Sequence, residues 1–445
     1  MKKQYHIQRL TTTLGLASVL LVGCGSSGGT LIPPVPQGPL PPFSLALLSQ
    51  ALDGGLPNGR SESIRARASN ADGRFVVFES SASNLVAGDG NGTTDVFVRD
   101  RVQGITTRVS VNNSGQEGNF TSADGAINED GTLVVFRSFA TNLDAGARTG
   151  LFARNLTTGV TEFLVPTGNG FFGREFSVSG DGRFITFSSS ASDLVPGDAN
   201  GSTDVFLYDR LDNGLRIISV DSAGNLGNGN SQRPHLSRDG RFVVFDSTAS
   251  NLVAGDNNGQ SDIFLYEVSS RTTSRVSLGT GGVEADLSSF APTISADGSL
   301  IGFESGATNL VNGDTNGNSD LFVRQRVNGT NERISLDGNG QQLVGGLSRQ
   351  LDVTNGRFCV FVTTEELIAE DTNPREDVYV RDLTTGQLRV VSVSESGAPI
   401  DGDSLDPSIS SDGRNVVFES AAQDILPQIN TFELRVYSAP NPFLI

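Results

Sequence analysis

Residues 233–247 read RPHLSRDGRFVVFDS: a short run, an Asp-Gly pair, and an apolar run. Asp-Gly between two such runs is the strongest short-range hairpin signal, because glycine supplies the positive φ that a tight turn needs. The stretch therefore predicts two antiparallel strands, RPHLS (233–237) and RFVVFDS (241–247). A loop, ASNLVAGDNNGQS (249–261), leads into DIFLYEV (262–268), and SRVSL (274–278) closes the unit as a fourth strand.

The unit recurs. Asp72-Gly73 precedes RFVVF, Asp130-Gly131 TLVVF, Asp181-Gly182 RFITF, and Asp297-Gly298 SLIGF; Asn355-Gly356 precedes RFCVF and Asp412-Gly413 RNVVF. With Asp239-Gly240 the spacings are 58, 51, 58, 58, 58 and 57 residues, so one four-stranded unit is written seven times, the second copy shortened. Four antiparallel strands at this period, without helix-period segments, match a β-propeller blade. The seventh unit ends at Ile445 without a fourth strand, while FSLALLS (43–49) stands ahead of the first and resembles the RVSV strands. An N-terminal strand completing the last blade closes the ring and removes both open edges. The fold predicted is an all-β seven-bladed β-propeller occupying 43–445 as one domain. Its P-x-I-S-x-D-G-x-x-V-x-F pattern, as in PTISADGSLIGF (292–303) and PSISSDGRNVVF (407–418), resembles the WD-repeat-like propeller repeats of TolB and its relatives. That resemblance implies the propeller across essentially the whole mature chain. Unlike TolB, the chain has no separate N-terminal α/β domain, and it adds an acidic loop to each of five blades.

Residues 1–23 read as a signal peptide: Lys2, Lys3 and Arg9, then an apolar stretch too short to span a bilayer. Leu21-Val22-Gly23-Cys24 looks like a bacterial lipobox, which implies cleavage before Cys24 and lipidation of that residue. Gly25 after it, by resemblance to lipoproteins of two-membrane bacteria, implies the outer membrane. Residues 24–42 then form a Gly/Ser- and Pro-rich tether. Without Lys2, Lys3 and Arg9 the 32 basic residues fall to 29 against 50 acidic, a net charge near −21. Such a surface excludes nucleic acid as a partner, and the membrane is expected to be reached through the lipid alone. Cys359, in RFCVF, reads as a small buried hydrophobe.

The five loops are GDGNGTTD (88–95), GDANGSTD (197–204), GDNNGQSD (255–262), GDTNGNSD (313–320) and EDTNPRED (370–377). Their triads are Asp89/Asn91/Asp95, Asp198/Asn200/Asp204, Asp256/Asn258/Asp262, Asp314/Asn316/Asp320 and Asp371/Asn373/Asp377. Oxygen ligands at i, i+2 and i+6 around a glycine resemble part of a calcium loop, although no bidentate glutamate follows at the expected distance. Asn-Gly turn chemistry without metal accounts for the same residues, so calcium and a metal-free turn both stand. The upstream ASNL segments (Asn84-Leu85, Asn251-Leu252, Asn309-Leu310) read as an Asx turn and a leucine plug.

Recognisable catalytic groups are few. His235 is the one histidine of the mature chain, and no nucleophile elbow, zinc-binding helix or Cys-His cluster occurs. Arg65, Arg67, Arg174, Arg233 and Arg349 fall at comparable positions near the expected channel mouth and suit a carboxylate or peptide terminus, with Glu62 and Asp406 as nearby acids. The sequence is therefore read as a lipid-anchored, non-catalytic scaffold of the cell envelope that binds a protein or peptide, organised by calcium if the loops hold it. The rival is a hydrolase or lyase acting on polysaccharide or another polymer through channel-mouth carboxylates. A cleft holding two carboxyls with raised pKa values separates the two.

Overall fold

Each Asp-Gly or Asn-Gly pair forms the expected turn, with glycine φ from 68° at Gly73 to 80° at Gly356. Glycine is required twice over. A Cβ on Gly131 or Gly298 would lie 2.4 and 2.5 Å from the ring of Phe75 or Phe242 in the preceding blade. These contacts appear in a computed structural model that describes residues 44–63, 67–170, 172–345 and 348–445. The signal segment, Cys24, the tether and Arg65 lie outside the described residues.

Seven four-stranded antiparallel sheets make the propeller. Blade four runs Ser231–Leu236, Phe242–Ser247, Asp262–Glu267 and Thr272–Arg275 from the innermost strand outward. Its outer strand ends earlier than expected because Ser277 replaces ladder pairing with its side chain: Oγ accepts from Ile263 N (3.0 Å) and donates to Asp262 Oδ1 (2.5 Å). Blade seven holds Ser404–Ile409, Asn415–Ser420 and Arg435–Pro440, and Ala46–Leu47 is its fourth strand. Ala46 pairs with Ser438 and Leu47 with Tyr437, and Leu48 N donates to Val436 O at 2.8 Å. The ring is closed as predicted.

Adjacent blades are also clasped turn to turn by backbone hydrogen bonds: Ala71 N to Glu129 O, Glu129 N to Gly180 O, Gly180 N to Arg238 O, and Asp239 N to Ala296 O. Asp297 N donates to Asn355 Oδ1 between blades five and six, and Asp412 N to Ala71 O between seven and one. Each blade carries one aromatic pair between its second and third strands, such as Phe245 on Phe264 (centroids 5.9 Å apart) and Phe418 on Tyr437 (5.9 Å). Such pairs add ~0.5–1.5 kcal/mol beyond the area they bury. They are buried because each sheet is covered on both faces, so the central strands read as continuous apolar runs.

Removing residues 1–49 should leave the edge at Arg435–Pro440 unpaired. The expected result is a lower urea midpoint and concentration-dependent self-association on size-exclusion chromatography. A monomer with the midpoint of the full chain would show that the N-terminal strand does not close the ring.

Candidate functional site

Two places gather charged side chains: the acidic loops and the mouth of the central channel. In the loops, the aspartate that opens each third strand is buried: Asp95, Asp204, Asp262, Asp320 and Asp377. Its Oδ1 accepts from a serine two residues beyond the outer strand, at 2.5 Å from Ser110 and 2.6 Å from Ser219. The loop asparagine makes an Asx turn, its Oδ1 accepting from the amide two residues on, as Asn91 does from Thr93 (2.8 Å) and Asn200 from Ser202 (3.0 Å). In four blades its Nδ2 donates to the buried aspartate: Asn91 to Asp95, Asn200 to Asp204, Asn258 to Asp262, and Asn316 to Asp320.

Sequence reasoning missed the arginines. Arg108 Nη1 lies 3.2 Å from Asp89, 3.4 Å from Asp95 and 2.7 Å from Glu117. Arg275 repeats this with Asp256 (3.3 Å), Asp262 (3.5 Å) and Glu284 (2.6 Å), and Arg333 reaches Asp314 and Asp320. The clusters Asp89/Asp95/Glu117 and Asp256/Asp262/Glu284 bring carboxylate oxygens within 4.8 Å of one another, an arrangement that could hold a metal ion. A guanidinium stands among those oxygens in both. Burial nevertheless pushes Asp256 up to about 6. The signal was present two residues before each serine, in TTRVS, TSRVS and NERIS. Of the ASNL segments, Leu85, Leu252 and Leu310 are buried plugs, and each asparagine ties down the loop from the preceding blade, as Asn84 Oδ1 does from Asn58 N (2.9 Å).

The channel mouth is built by irregular innermost strands. Asp124, Arg233, Ala291, Gln350 and Asp406 have φ between 47° and 59° there, where the pairing register shifts. Non-glycine residues in this region are strained, and bulges of this kind re-aim side chains beside functional sites. Arg233, Ala291, Gln350 and Asp406 frame a cavity of 310 Å³ also lined by Glu175, His235, Glu304 and Arg349. Arg233 forms a two-point pair with Asp246 (2.7 and 2.9 Å), and Arg349 contacts Glu376 at 2.5 and 2.7 Å.

Arg174 is exposed and close enough to Glu79 and Asp124 to oppose their rise in pKa. Arg67 is deeper than predicted, on the floor: its Nε donates to His235 Nε2 (2.9 Å), joining blade one to blade four. Arg238 crosses the channel likewise, to Ile127 O (2.9 Å) and Ser69 O (2.7 Å). Burial beside these two guanidinia holds His235 well below its ordinary pKa, hence neutral. Glu62 pairs with Arg60 at 2.8 Å, and Asp406 Oδ1 accepts from Gln350 Nε2 at 2.5 Å.

The rim carboxyls are perturbed. Burial raises Glu79 to about 7, while its Oε2 accepts from Asp124 N at 2.9 Å. Burial, then repulsion from Asp406, raises Glu419 to about 8, while its Oε2 accepts from Ser63 N at 3.0 Å.

No protein-family model and no curated protein matches the chain. Among solved structures it is similar to an oligogalacturonate lyase in complex with manganese, 14% identical, with a TM-score of 0.55 over 90% of this chain and 97% of that one. An oligogalacturonate lyase from Vibrio parahaemolyticus gives 12% identity and a TM-score of 0.53, with the same coverage. A TolB protein from Agrobacterium tumefaciens aligns at 15% identity with a TM-score of 0.40, over 76% of this chain and 94% of that one.

These likenesses concern the fold, and they correct one inference. A chain with few recognisable catalytic groups is expected to be a non-catalytic scaffold and not an enzyme. The lyases align over almost their whole length with this ring, so the architecture needs no further domain to carry out chemistry.

Glu79 and Glu419 also set a pH dependence. An unfolded glutamate titrates near ~4.3, so the folded state holds these protons more tightly. Their contribution to stability is full below that value and is lost as pH rises through about 7 and 8. Glu419→Gln should flatten the fall in urea midpoint across this range; a profile parallel to that of the unaltered protein would refute the assignment.

Proposed function

We propose that the channel mouth is the active site of an enzyme that cleaves acidic oligosaccharides, by β-elimination next to a uronate carboxylate. One observation carries the reading: a 310 Å³ cavity presents Arg233 and Arg349 beside Asp406, whose charge helps keep the neighbouring Glu419 protonated near neutral pH. The names of the two lyases with the same ring support the substrate class. Within this lining Arg233 and Arg349 are the positive groups, each held in place by a carboxylate, Asp246 and Glu376, with which a substrate carboxylate would share them.

The steps follow from these groups. Arg233 and Arg349 receive the substrate carboxylate and stabilise the negative charge that spreads onto it as the adjacent C5 proton leaves. A rim carboxylate, Asp406 or Glu304, accepts that proton. The electron pair forms the C4–C5 double bond as the C4–O bond breaks, and the Glu419 carboxyl, raised to about 8, protonates the departing oxygen. One of these neighbours is named with manganese, and at this mouth both nitrogens of His235 already face donors, Arg67 Nε and Ile294 N. For the acidic loops the suitable ion class is a hard divalent cation such as calcium, because all their donors are oxygen.

Incubation with oligogalacturonate should produce the ultraviolet absorbance of the new conjugated double bond. Arg233→Ala and Arg349→Ala should each lower kcat/KM by roughly 10²-fold or more, the scale of losing one charge-stabilising group. New reducing ends without that absorbance would indicate hydrolysis instead. No cleavage across a panel of uronate polymers would overturn the reading.

For the address, we infer a lipid anchor at Cys24 in the outer membrane, supported by the Leu-Val-Gly-Cys motif and the tether behind it. Among the described residues no helix is long and apolar enough to cross a membrane. The unaltered protein should sediment with membranes and Cys24→Ala should not; equal sedimentation of both would refute the anchor.

A further inference from the structure

We propose that the loop of blade six, unlike those of blades one, four and five, holds a divalent cation between Asp371 and Asp377, in the place where those blades put an arginine. One position of the outer strand differs between the blades. The residue two before the loop-bonding serine is Arg108, Arg275 and Arg333 in blades one, four and five, but Val390 in blade six. Its companion changes with it. The residue bridged to the end of the outer strand is Glu117, Glu284 and Gln342 in the arginine blades and Pro399 in blade six. Both members of the internal cation site are therefore missing together, while Asp371, Asn373 and Asp377 are retained.

The carboxylates left behind are buried. Asp377 is 1% exposed and Asp371 is 4% exposed. Ser392 Oγ satisfies Asp377 Oδ1 at 2.6 Å, but Asp377 Oδ2 has no hydrogen-bond partner. That atom corresponds to the one that faces the guanidinium in the other blades, Asp95 Oδ2 on Arg108 and Asp262 Oδ2 on Arg275.

Proline explains its isolation. The other loops have Gly92, Gly201, Gly259 and Gly317 at φ of 64° to 68° directly after the asparagine, and blade six has Pro374, which cannot adopt that value. Asn373 Nδ2 still donates to Ile400 O at 3.2 Å, as Asn91 does to Gly118 O at 2.9 Å, but it makes no hydrogen bond to the aspartate that Asn91 also reaches. Tyr379 donates its hydroxyl to Asp371 Oδ2 and orients that carboxylate. Blade three, which has Ile217 for the arginine, lacks such an orphan, because Asn200 satisfies Asp204 Oδ2 at 2.9 Å.

Two buried carboxylates without a counter-charge are costly, and a bound dication neutralises both at once. Oxygen-only donors select a hard ion, calcium or its analogues. Waters complete the shell, as in sites of modest affinity, with Kd on the order of 10⁻⁴–10⁻³ M.

The chain has no tryptophan, so Tyr379 against Asp371 is the natural antenna for terbium. Titrating the full chain with terbium chloride should give sensitised emission saturating at one equivalent. Excess calcium chloride should displace it, and magnesium chloride should do so less well. Val390→Arg, which rebuilds the arginine arrangement, should abolish emission and the calcium-dependent rise in melting midpoint while leaving a folded ring. Asp377→Asn should abolish both as well, and Asp204→Asn neither. Emission that survives Val390→Arg, or no emission from the folded chain at millimolar terbium, would overturn the proposal.

Discussion

The ring exists because every blade must be gripped on both sides. A four-stranded sheet of this length cannot bury two apolar faces alone, and at six of the seven junctions a clasp between successive turns fixes how one sheet meets the next. Ala71 both donates to Glu129 O and accepts from Asp412 N, so the clasp runs through the junction of first and last blades without a break. Gly131 and Gly298 fit under Phe75 and Phe242 only because they have no side chain. Everything placed at the channel mouth inherits its position from this closure.

The mouth departs from the regularity of the outer ring. The strained residues there cost of order 1–3 kcal/mol each, held in place by the blades around them. Asp124 N bonded to Glu79, Gln350 N bonded to Glu304 and Ser63 N bonded to Glu419 show one device used three times: a main-chain amide of one blade held by the carboxyl of the blade before it. Glu79 and Glu419 thus position backbone and carry perturbed protons at once. Deeper in the channel, Arg67 and Arg238 tie distant blades together and give the cavity a floor.

The propeller, its seven units and its closure by the N-terminal segment were legible because they rest on hairpin chemistry and a fixed period, both local in sequence. The mouth was only partly legible. Arg233 and Arg349 line the cavity as their positions suggested, but Arg67 sits on the floor, since blade one carries extra residues between Ser63 and its Asp-Gly turn. The rim carboxyls could not be picked from 50 acidic residues, because their pKa depends on burial against a neighbouring blade. The arginines among the loop acids were missed for a related reason. Arg108 lies 19 residues from Asp89 in sequence, and only strand pairing brings the two together.

The pairing of Leu47 with Tyr437 has a consequence for the chain as a polymer. The first and last strands are neighbours in one sheet, so the ring has no intrinsic beginning. Joining the ends of the propeller and opening it in another blade, between its third and fourth strands, would give the same set of sheets with a different blade shared by the termini. The order in which blades leave the ribosome, and the blade that waits for its last strand, could then be changed without altering a single contact of the folded state.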